Sequence, residues 1–405
     1  MTTYVIVGGG LAGAKAAQTL RDEGFDGEVV LFCDEADAPY ERPPLSKDYL
    51  NGKASRSSVF VHPEKWYAEH HVDLRTGTPV TAIDRGAHTV SYSGGSVPYD
   101  KLLLATGASP RRLGIPGDGL KGVHYLRRLG DAEALRESFR HGAHVIVVGA
   151  GWIGLEAAAA ARKAGHLVTV LEPQPTPLHG VLGPELGERF QRLHAGHGVE
   201  FRFSESAAEF HGDAGHHVGS VLTRSGKTLT ADTVVVGIGA VPNDGLAADA
   251  GLDTDGGVVT DAALRTSDPD IFAAGDVANS HNPLFGRRVR VDHWANALNG
   301  GQAAARSMLG QEVSYDRVPY FFSDQYGFGL ECSGLPSPGS YDRVFYRGDA
   351  DKSEFIAFWL NAGKVIAAMN VNVWDVTGDL QSLIRSAREV DPVRLTDPRV
   401  PLSDV

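Results

Sequence analysis

Cysteine is nearly absent: the 405 residues hold only Cys33 and Cys332. They lie far apart in the chain and form neither a CxxC nor a CxxxxC pair. This excludes a local dithiol of those spacings and a cysteine-rich metal site, and no metal is expected. Cys33 ends an apolar run, which predicts a buried free thiol rather than a reactive one. Long hydrophobic stretches are missing too. None approaches the roughly 20 residues needed to cross a bilayer, and the opening MTTYVIVGGG enters a strand with no basic stretch ahead of it. A soluble, cytoplasmic protein with no membrane partner is expected. Basic residues are in the minority, with 38 Lys and Arg against 50 Asp and Glu, and the formal net charge of −12 argues against nucleic acid as a partner. With 42% hydrophobic and 8% aromatic residues the chain can bury ordinary cores, and its length corresponds to two or three domains.

Glycine, by contrast, recurs where chemistry needs it. In HVIVVGAGWIGLEAAAAARKAGHLVTVLE, residues 144–172, a β-branched run meets Gly149, Gly151 and Gly154. An Ala-rich helix and a second apolar run ending in Glu172 follow. Strand, glycine turn, helix, strand and acid form the unit that holds a dinucleotide. The same order opens the chain: Tyr4 to Val7, then Gly8, Gly9, Gly10 and Gly13, a helix over Leu11 to Glu23, a strand over Glu28 to Cys33, and Asp34. In such a unit the first glycine permits a sharp turn and the second lets backbone approach a pyrophosphate. The third brings helix against strand, and the helix N-terminus offers free N–H groups. Asp34 and Glu172 stand where an acid accepts hydrogen bonds from an adenosine ribose. The loop after Glu172, PQPTPLHGVLGPEL, has no Arg or Lys before Arg189. A 2′-phosphate usually needs such a cation, so NADH is favoured over NADPH. Glu156 is read as an acid in the first turn of the second helix, where the helix dipole alone suffices to explain it.

In ADAPYERPPLSKDYL, residues 36–50, Pro43 and Pro44 stiffen an extended segment and Ser46 is a candidate helix cap. Arg42 and Lys47 place two cations near the first nucleotide site, although alone the segment reads as a charged loop. Residues 72–100 and 199–232 read as small antiparallel insertions. KLLLATGASP is a buried parallel strand ending at Thr106 and Gly107, ADTVVVGIGAVPN repeats that pattern, and IFAAGDVA places Asp276 after a third such strand. Arg127 and Arg128 precede a helix over Asp131 to Arg140. Residues 293–309 read as a helix despite Gly300 and Gly301. From about residue 316 aromatic and β-branched runs predict an antiparallel C-terminal domain. Asn361 to Lys364 is its hairpin connection, Trp359 and Trp374 belong to its core, and a proline-rich tail forms an extended strap. The expected fold is α/β, with two Rossmann-like domains plus an α+β C-terminal domain. Residues 1–112 and 236–315 form the first domain, 113–235 the second and 316–405 the third.

These motifs, in this order, resemble the two-dinucleotide-binding-domain flavoprotein reductases. PYERPPLSK, FAAGDVA, the His-Trp start of the 293–309 helix and FFSDQY narrow the resemblance. They point to the NADH-dependent reductases of ferredoxins and rubredoxins, of the putidaredoxin, rhodocoxin and ring-dioxygenase types. The resemblance implies FAD on the first unit and NADH on the second. Gly8, Gly10, Ala12 and Gly13 would hold the FAD pyrophosphate, with Asp34 on its ribose. Arg42, Lys47, Val80, Arg127, Asp276 and Trp294 would line the rest, with Thr106 and Gly107 on the same side. Lys47 would lie near the flavin N5, paired with Glu156 across the domain boundary. Gly149, Gly151, Ile153 and Gly154 would cradle NADH, with Glu172 on its ribose and Gly239 nearby. The chain departs from the family in having Asp292 rather than Glu before the His-Trp pair, and Phe322 where some members have tryptophan.

NADH delivers two electrons at once and an iron–sulfur protein takes one, a mismatch that a flavin resolves. Disulfide, coenzyme-A or peroxide reductases of the superfamily would need cysteines that this chain lacks, so electrons would leave the flavin directly. The acceptor implied is a transiently bound ferredoxin serving a cytochrome P450 or a ring-hydroxylating dioxygenase. Arg287, Arg288 and Arg290 form a basic cluster that would steer it, though a solvated loop explains them equally. A monodehydroascorbate- or quinone-type reductase, or a flavoprotein like apoptosis-inducing factor, remains an alternative. Monomer and homodimer are both compatible with the sequence.

Overall fold

Short β-branched runs buried on both faces favour parallel pairing, because only helices packed on either side can cover them. A computed structural model of residues 1–405 bears this out twice. Its contacts divide the chain into two compact units. One comprises Met1–Glu41, Arg56–Ser109 and Ala240–Pro319, the other Arg42–Ser55, Pro110–Gly239 and Tyr320–Val405.

In the first unit five strands pair in parallel, in the order Ile271–Ala273, Lys101–Leu104, Thr3–Val7, Glu28–Phe32 and Val72–Arg75. Helices Leu11–Asp22 and Trp294–Met308 share one core with this sheet. Gly301 explains a helix that tolerates two adjacent glycines: a Cβ there would stand 2.2 Å from the Ala12 carbonyl oxygen. Each interior glycine weakens an isolated helix by about 1 kcal/mol. Here it permits backbone-to-backbone approach that any side chain would block.

In the second unit the parallel order is Val199–Phe203, Leu167–Glu172, His144–Val148, Thr233–Val236 and Val123–Tyr125. The same unit contains a five-stranded antiparallel sheet in the order Tyr320–Gln325, Phe328–Gly334, Lys364–Val371, Glu354–Asn361 and Arg343–Asp349. Helix Thr377–Ser386 follows the last of these strands in the chain. Asn361 pairs with Lys364 across Ala362 (φ 47°) and Gly363 (φ 76°), so the hairpin expected there is a two-residue turn with both central residues left-handed.

Several local expectations change. Both antiparallel insertions begin later than the sequence suggested. Val72–Arg75 and Val199–Phe203 are parallel edge strands, and only residues 80–98 and 207–230 form the three-stranded antiparallel sheets. Trp359 is fully buried, its indole donating to the Leu182 carbonyl at 3.2 Å, whereas Trp374 is 54% exposed and is not core. Part of the tail is helical: Asp391 caps Pro392–Thr396 by accepting from the Val393 N–H at 2.9 Å, with proline at the first helical position, where its missing N–H is harmless. No helix is long and apolar enough to cross a membrane.

Candidate active site

The two glycine turns are built alike. Gly8 (φ 127°) and Gly149 (φ 96°) take conformations that side chains rarely adopt. A Cβ on Gly13 would stand 2.1 Å from the Gly8 carbonyl oxygen, and one on Gly154 would stand 2.1 Å from that of Gly149. The third glycine of each turn therefore lets the helix close onto the first. Gly10 and Gly151 immediately precede helices Leu11–Asp22 and Trp152–Lys163, and neither helix start is capped by a side chain. A Cβ on Gly10 would meet nothing within 4 Å, and one on Gly151 only the Gly237 carbonyl at 3.8 Å. Open space before an uncapped run of helical N–H groups is what a pyrophosphate requires. Ile153, on the first turn of the second helix, is 40% exposed, an apolar surface suited to lie under a ligand. The residues of both turns fit a dinucleotide.

The acids differ. Val7 pairs with Phe32 and Val148 with Leu171, so Glu172 occupies the register position of Cys33, one residue short of Asp34. Glu172 is buried, accepting from the Ala150 N–H at 2.6 Å and the Gln174 N–H at 2.9 Å. Asp34 is exposed. Cys33 fills the space beside Gly9, where a Cβ would come within 2.2 Å of its sulfur. Both cysteines are free and buried. Burial, with Asp34 and Glu35 adding charge repulsion, pushes the Cys33 thiol up to about 12, so it is no nucleophile at neutral pH.

Glu156 departs from its expected setting. The helix carries no acid in its first turn; Glu156 lies one turn further in, where the dipole does little for it, and is only 4% exposed. What compensates its burial is an ion pair to Lys47 Nζ at 2.7 Å, a hydrogen bond from Ser323 Oγ at 2.7 Å and another from Ser46 Oγ. Ser46 is thus not a helix cap; it ends a short 3₁₀ turn over Pro43–Ser46 and is spoken for by the carboxylate. The Phe322 ring centre lies 5.7 Å from the Lys47 ammonium. Residues 42–55 pack in the second unit with Glu156 rather than with residues 1–41, anchored also by the Tyr49 hydroxyl on Glu133 at 2.8 Å.

The remaining predicted residues fall in both units. Ala12, Val80, Thr106, Gly107, Asp276 and Trp294 join Gly8, Gly10, Gly13 and Asp34 in the first, while Arg42, Lys47 and Arg127 belong to the second with Gly239. Arg42 donates to the Arg127 carbonyl at 2.6 Å, bringing two of the predicted cations together. Asp276 is buried in a 3₁₀ turn directly after strand Ile271–Ala273, and Trp294 opens its helix. Asn243 clasps Thr106: its amide donates to the Thr106 carbonyl at 2.9 Å, and its backbone carbonyl accepts from the Thr106 hydroxyl at 2.7 Å. Gly239 has φ 99° and open space where a Cβ would be. The arginine cluster separates. Arg287 and Arg288 are exposed on strand Arg287–Val289, whereas Arg290 forms an ion pair with Asp292. The serines that hold Glu156 were not foreseen from the sequence. Their only signal is a polar residue, Ser323, at an inward position beside inward-facing Phe321.

Residues 2–301 match the pyridine nucleotide-disulphide oxidoreductase family model, and residues 320–405 match that of the reductase C-terminal domain. The anthranilate 1,2-dioxygenase system ferredoxin–NAD(+) reductase component of Burkholderia cepacia is 40% identical over 98% of both chains. Rhodocoxin reductase of Rhodococcus erythropolis is 41% identical over 91% of this chain and 86% of its own. The crystal structure of the covalent putidaredoxin reductase–putidaredoxin complex superposes with a TM-score of 0.95 at 38% identity, covering 99% of this chain and 97% of that one. The uncapped glycine turns and the buried cysteines agree with these likenesses, and the chain belongs to the pyridine nucleotide-disulphide oxidoreductase family, among its FAD-dependent ferredoxin– and rubredoxin–NAD(+) reductases.

Proposed function

We propose that this protein is an FAD-dependent NADH:ferredoxin oxidoreductase, delivering electrons to an iron–sulfur carrier that serves a cytochrome P450 or a ring-hydroxylating dioxygenase. The observation that carries the reading is the pair of like-built turns, one per unit, in a chain whose two cysteines are both buried and free. Two dinucleotides fit, and no dithiol intervenes between donor and acceptor. The relatives support the acceptor class, since they are a ferredoxin reductase component of a dioxygenase system and a rhodocoxin reductase. Bound FAD supplies what no side chain here can, the capacity to take two electrons together and release them singly.

The chain's own residues bind and orient. Gly8, Gly10, Ala12 and Gly13 take the FAD pyrophosphate, with Asp34 on the ribose side and Val80, Thr106, Gly107, Asp276 and Trp294 contributing further contacts. Arg42 and Arg127 supply positive charge. Gly149, Gly151, Ile153 and Gly154 take the NADH pyrophosphate, with Gly239 leaving backbone room. Glu172 accepts from the adenosine ribose and repels a 2′-phosphate. The nearest downstream cation, Arg189, is held elsewhere, donating to the Ala350 carbonyl at 3.1 Å and lying over the rings of Tyr346 and Phe355. That favours NADH. Lys47 and Glu156 are assigned to hydride transfer: the carboxylate holds the ammonium in place, and the ammonium offers positive charge to the reduced state. Arg287 and Arg288 are candidate contacts for an acidic ferredoxin.

The test is stopped-flow reduction of the purified yellow protein by NADH and by NADPH, followed by cytochrome c reduction through a panel of ferredoxins. Bleaching by NADH at least about tenfold faster than by NADPH is expected, with turnover only when a ferredoxin is present. A colourless protein, or turnover with a small quinone and none with any ferredoxin, would falsify the proposal.

A further inference from the structure

A buried carboxylate needs every donor it can find, and the donors around Glu156 extend well beyond Lys47. Strand Tyr320–Gln325 alternates in burial, with Phe321, Ser323 and Gln325 inward and Phe322 and Asp324 outward. Two polar side chains therefore occupy successive inward positions, i and i+2 on one face. Ser323 Oγ lies 2.7 Å from Glu156 Oε1, Gln325 Nε2 lies 3.1 Å from Ser323 Oγ, and His194 Nε2 lies 2.7 Å from Gln325 Oε1. His194 is fully buried, on helix Pro184–Gly196, and its Nδ1 has no partner.

Chemistry fixes the direction of this chain. An ionised carboxylate only accepts, so the Ser323 hydroxyl must give its single proton to Glu156 and keep its lone pairs for Gln325. Gln325 then presents its amide N–H to the serine and its carbonyl to His194. His194 must carry its proton on Nε2, which leaves the unpartnered Nδ1 as a bare acceptor, cheaper to bury alone than an unsatisfied N–H. The reversed amide would face Ser323 Oγ with two acceptors, at 2.7 and 3.1 Å, and a single proton to serve both. Every dipole in the chain thus points its positive end at Glu156, an arrangement in which each bond polarises the next.

We infer that Ser323, Gln325 and His194 are positioning residues: a one-way hydrogen-bond relay that holds the Glu156 carboxylate in the orientation that clamps the Lys47 ammonium. The inference rests on the assignment of Lys47 and Glu156 to hydride transfer, but its geometry stands independently of it. Glu156 Oε1 accepts from Ser323 and from Lys47 together, so removing the serine hydroxyl releases the oxygen on which the ammonium rests.

The readout is the reactivity of Lys47 itself. The holoenzyme is treated with acetic anhydride at fixed pH, and acetylation of Lys47 is measured by peptide mass spectrometry against Lys65, whose side chain is 76% exposed. Ser323→Ala is expected to raise Lys47 acetylation at least about threefold relative to Lys65, because a clamped ammonium is shielded from acylation. Ser323→Thr, which keeps the hydroxyl, should match the parent. Gln325→Leu should shift reactivity the same way by less. In Ser323→Ala the limiting rate of flavin reduction should fall while the NADH dissociation constant stays put. Unchanged Lys47 acetylation in Ser323→Ala, or Ser323→Thr as reactive as Ser323→Ala, overturns the relay. A freed Lys47 with undiminished reduction by NADH supports the relay and overturns the hydride-transfer role of the pair. Flavin absorbance and the thermal midpoint of each variant show whether it is folded.

Discussion

The two dinucleotide units share a turn and differ in the acid that follows it. In both, a third glycine brings its helix to within a Cβ's reach of the first glycine's carbonyl, at the same 2.1 Å. Yet Glu172 is buried and tied to the Ala150 N–H of its own turn, while Asp34 sits one register position later and is exposed. The position that Glu172 takes is filled in the first unit by Cys33, packed against Gly9. The turn is thus a backbone device, indifferent to the ligand's identity. The acid belongs to side-chain packing, and there the units have diverged. An acid wired to its turn transmits a change of ligand to the backbone.

The glycines provide the sharpest break. Gly13→Ala and Gly154→Ala each drive a methyl into a backbone carbonyl, at a cost of about 1–3 kcal/mol or more. Gly13→Ala should yield protein that loses FAD on gel filtration. Gly154→Ala should remain yellow yet fail to bleach with NADH. If both variants lose FAD alike, the two turns do not serve separate ligands. The acids come next. Glu172→Ala removes a buried, hydrogen-bonded carboxylate and should weaken NADH binding by about 10–100-fold, read by titration. Asp34→Ala should retain FAD through dialysis, with an effect under about tenfold, because an exposed acid competes with water. Equal losses at the two sites would erase the difference in burial as an explanation.

Acid offers the mildest contrast. Burial lowers His194 and His124 in the second unit and His293 in the first from 6.5 to about 4, and burial with Lys15 nearby does the same to His62 in the first. A histidine whose folded pKa is depressed binds fewer protons folded than unfolded. Its contribution is whole above pH 6.5 and is lost as pH falls toward about 4. For fully buried His194 this amounts to roughly 3 kcal/mol at most. Protection factors from hydrogen exchange should therefore fall in both units between pH 7 and pH 5, and His194→Gln should lessen the fall in the second unit alone.

Much of this is legible in the chain itself. The β-branched runs do not mislead: Tyr4 to Val7, Val145 to Val148 and the runs ending at Ala273 and Val236 are the parallel strands that their composition predicts. Edge strands are harder. Val72–Arg75 and Val199–Phe203 are covered on one side only, so their partial exposure imitates a strand of an antiparallel insertion. Trp374 has the composition of a core residue but lies over Gly329 at the surface, where a Cβ would meet its ring at 2.8 Å. Ser46 carries a helix-cap signature and serves a carboxylate 110 residues away instead.

By itself, the sequence determined the parts governed by neighbours in the chain. Backbone conformation at Gly8 and Gly149, strand and helix periodicity, and the order of the motifs are local properties, set by sterics within a few residues. Only the tertiary structure decided what Glu156 does. Its partners come from residues 46, 47 and 323, and no local rule links positions so far apart. Burial made the choice: a carboxylate removed from water requires a cation and hydroxyl donors, and the fold supplies them from two other segments of the same unit.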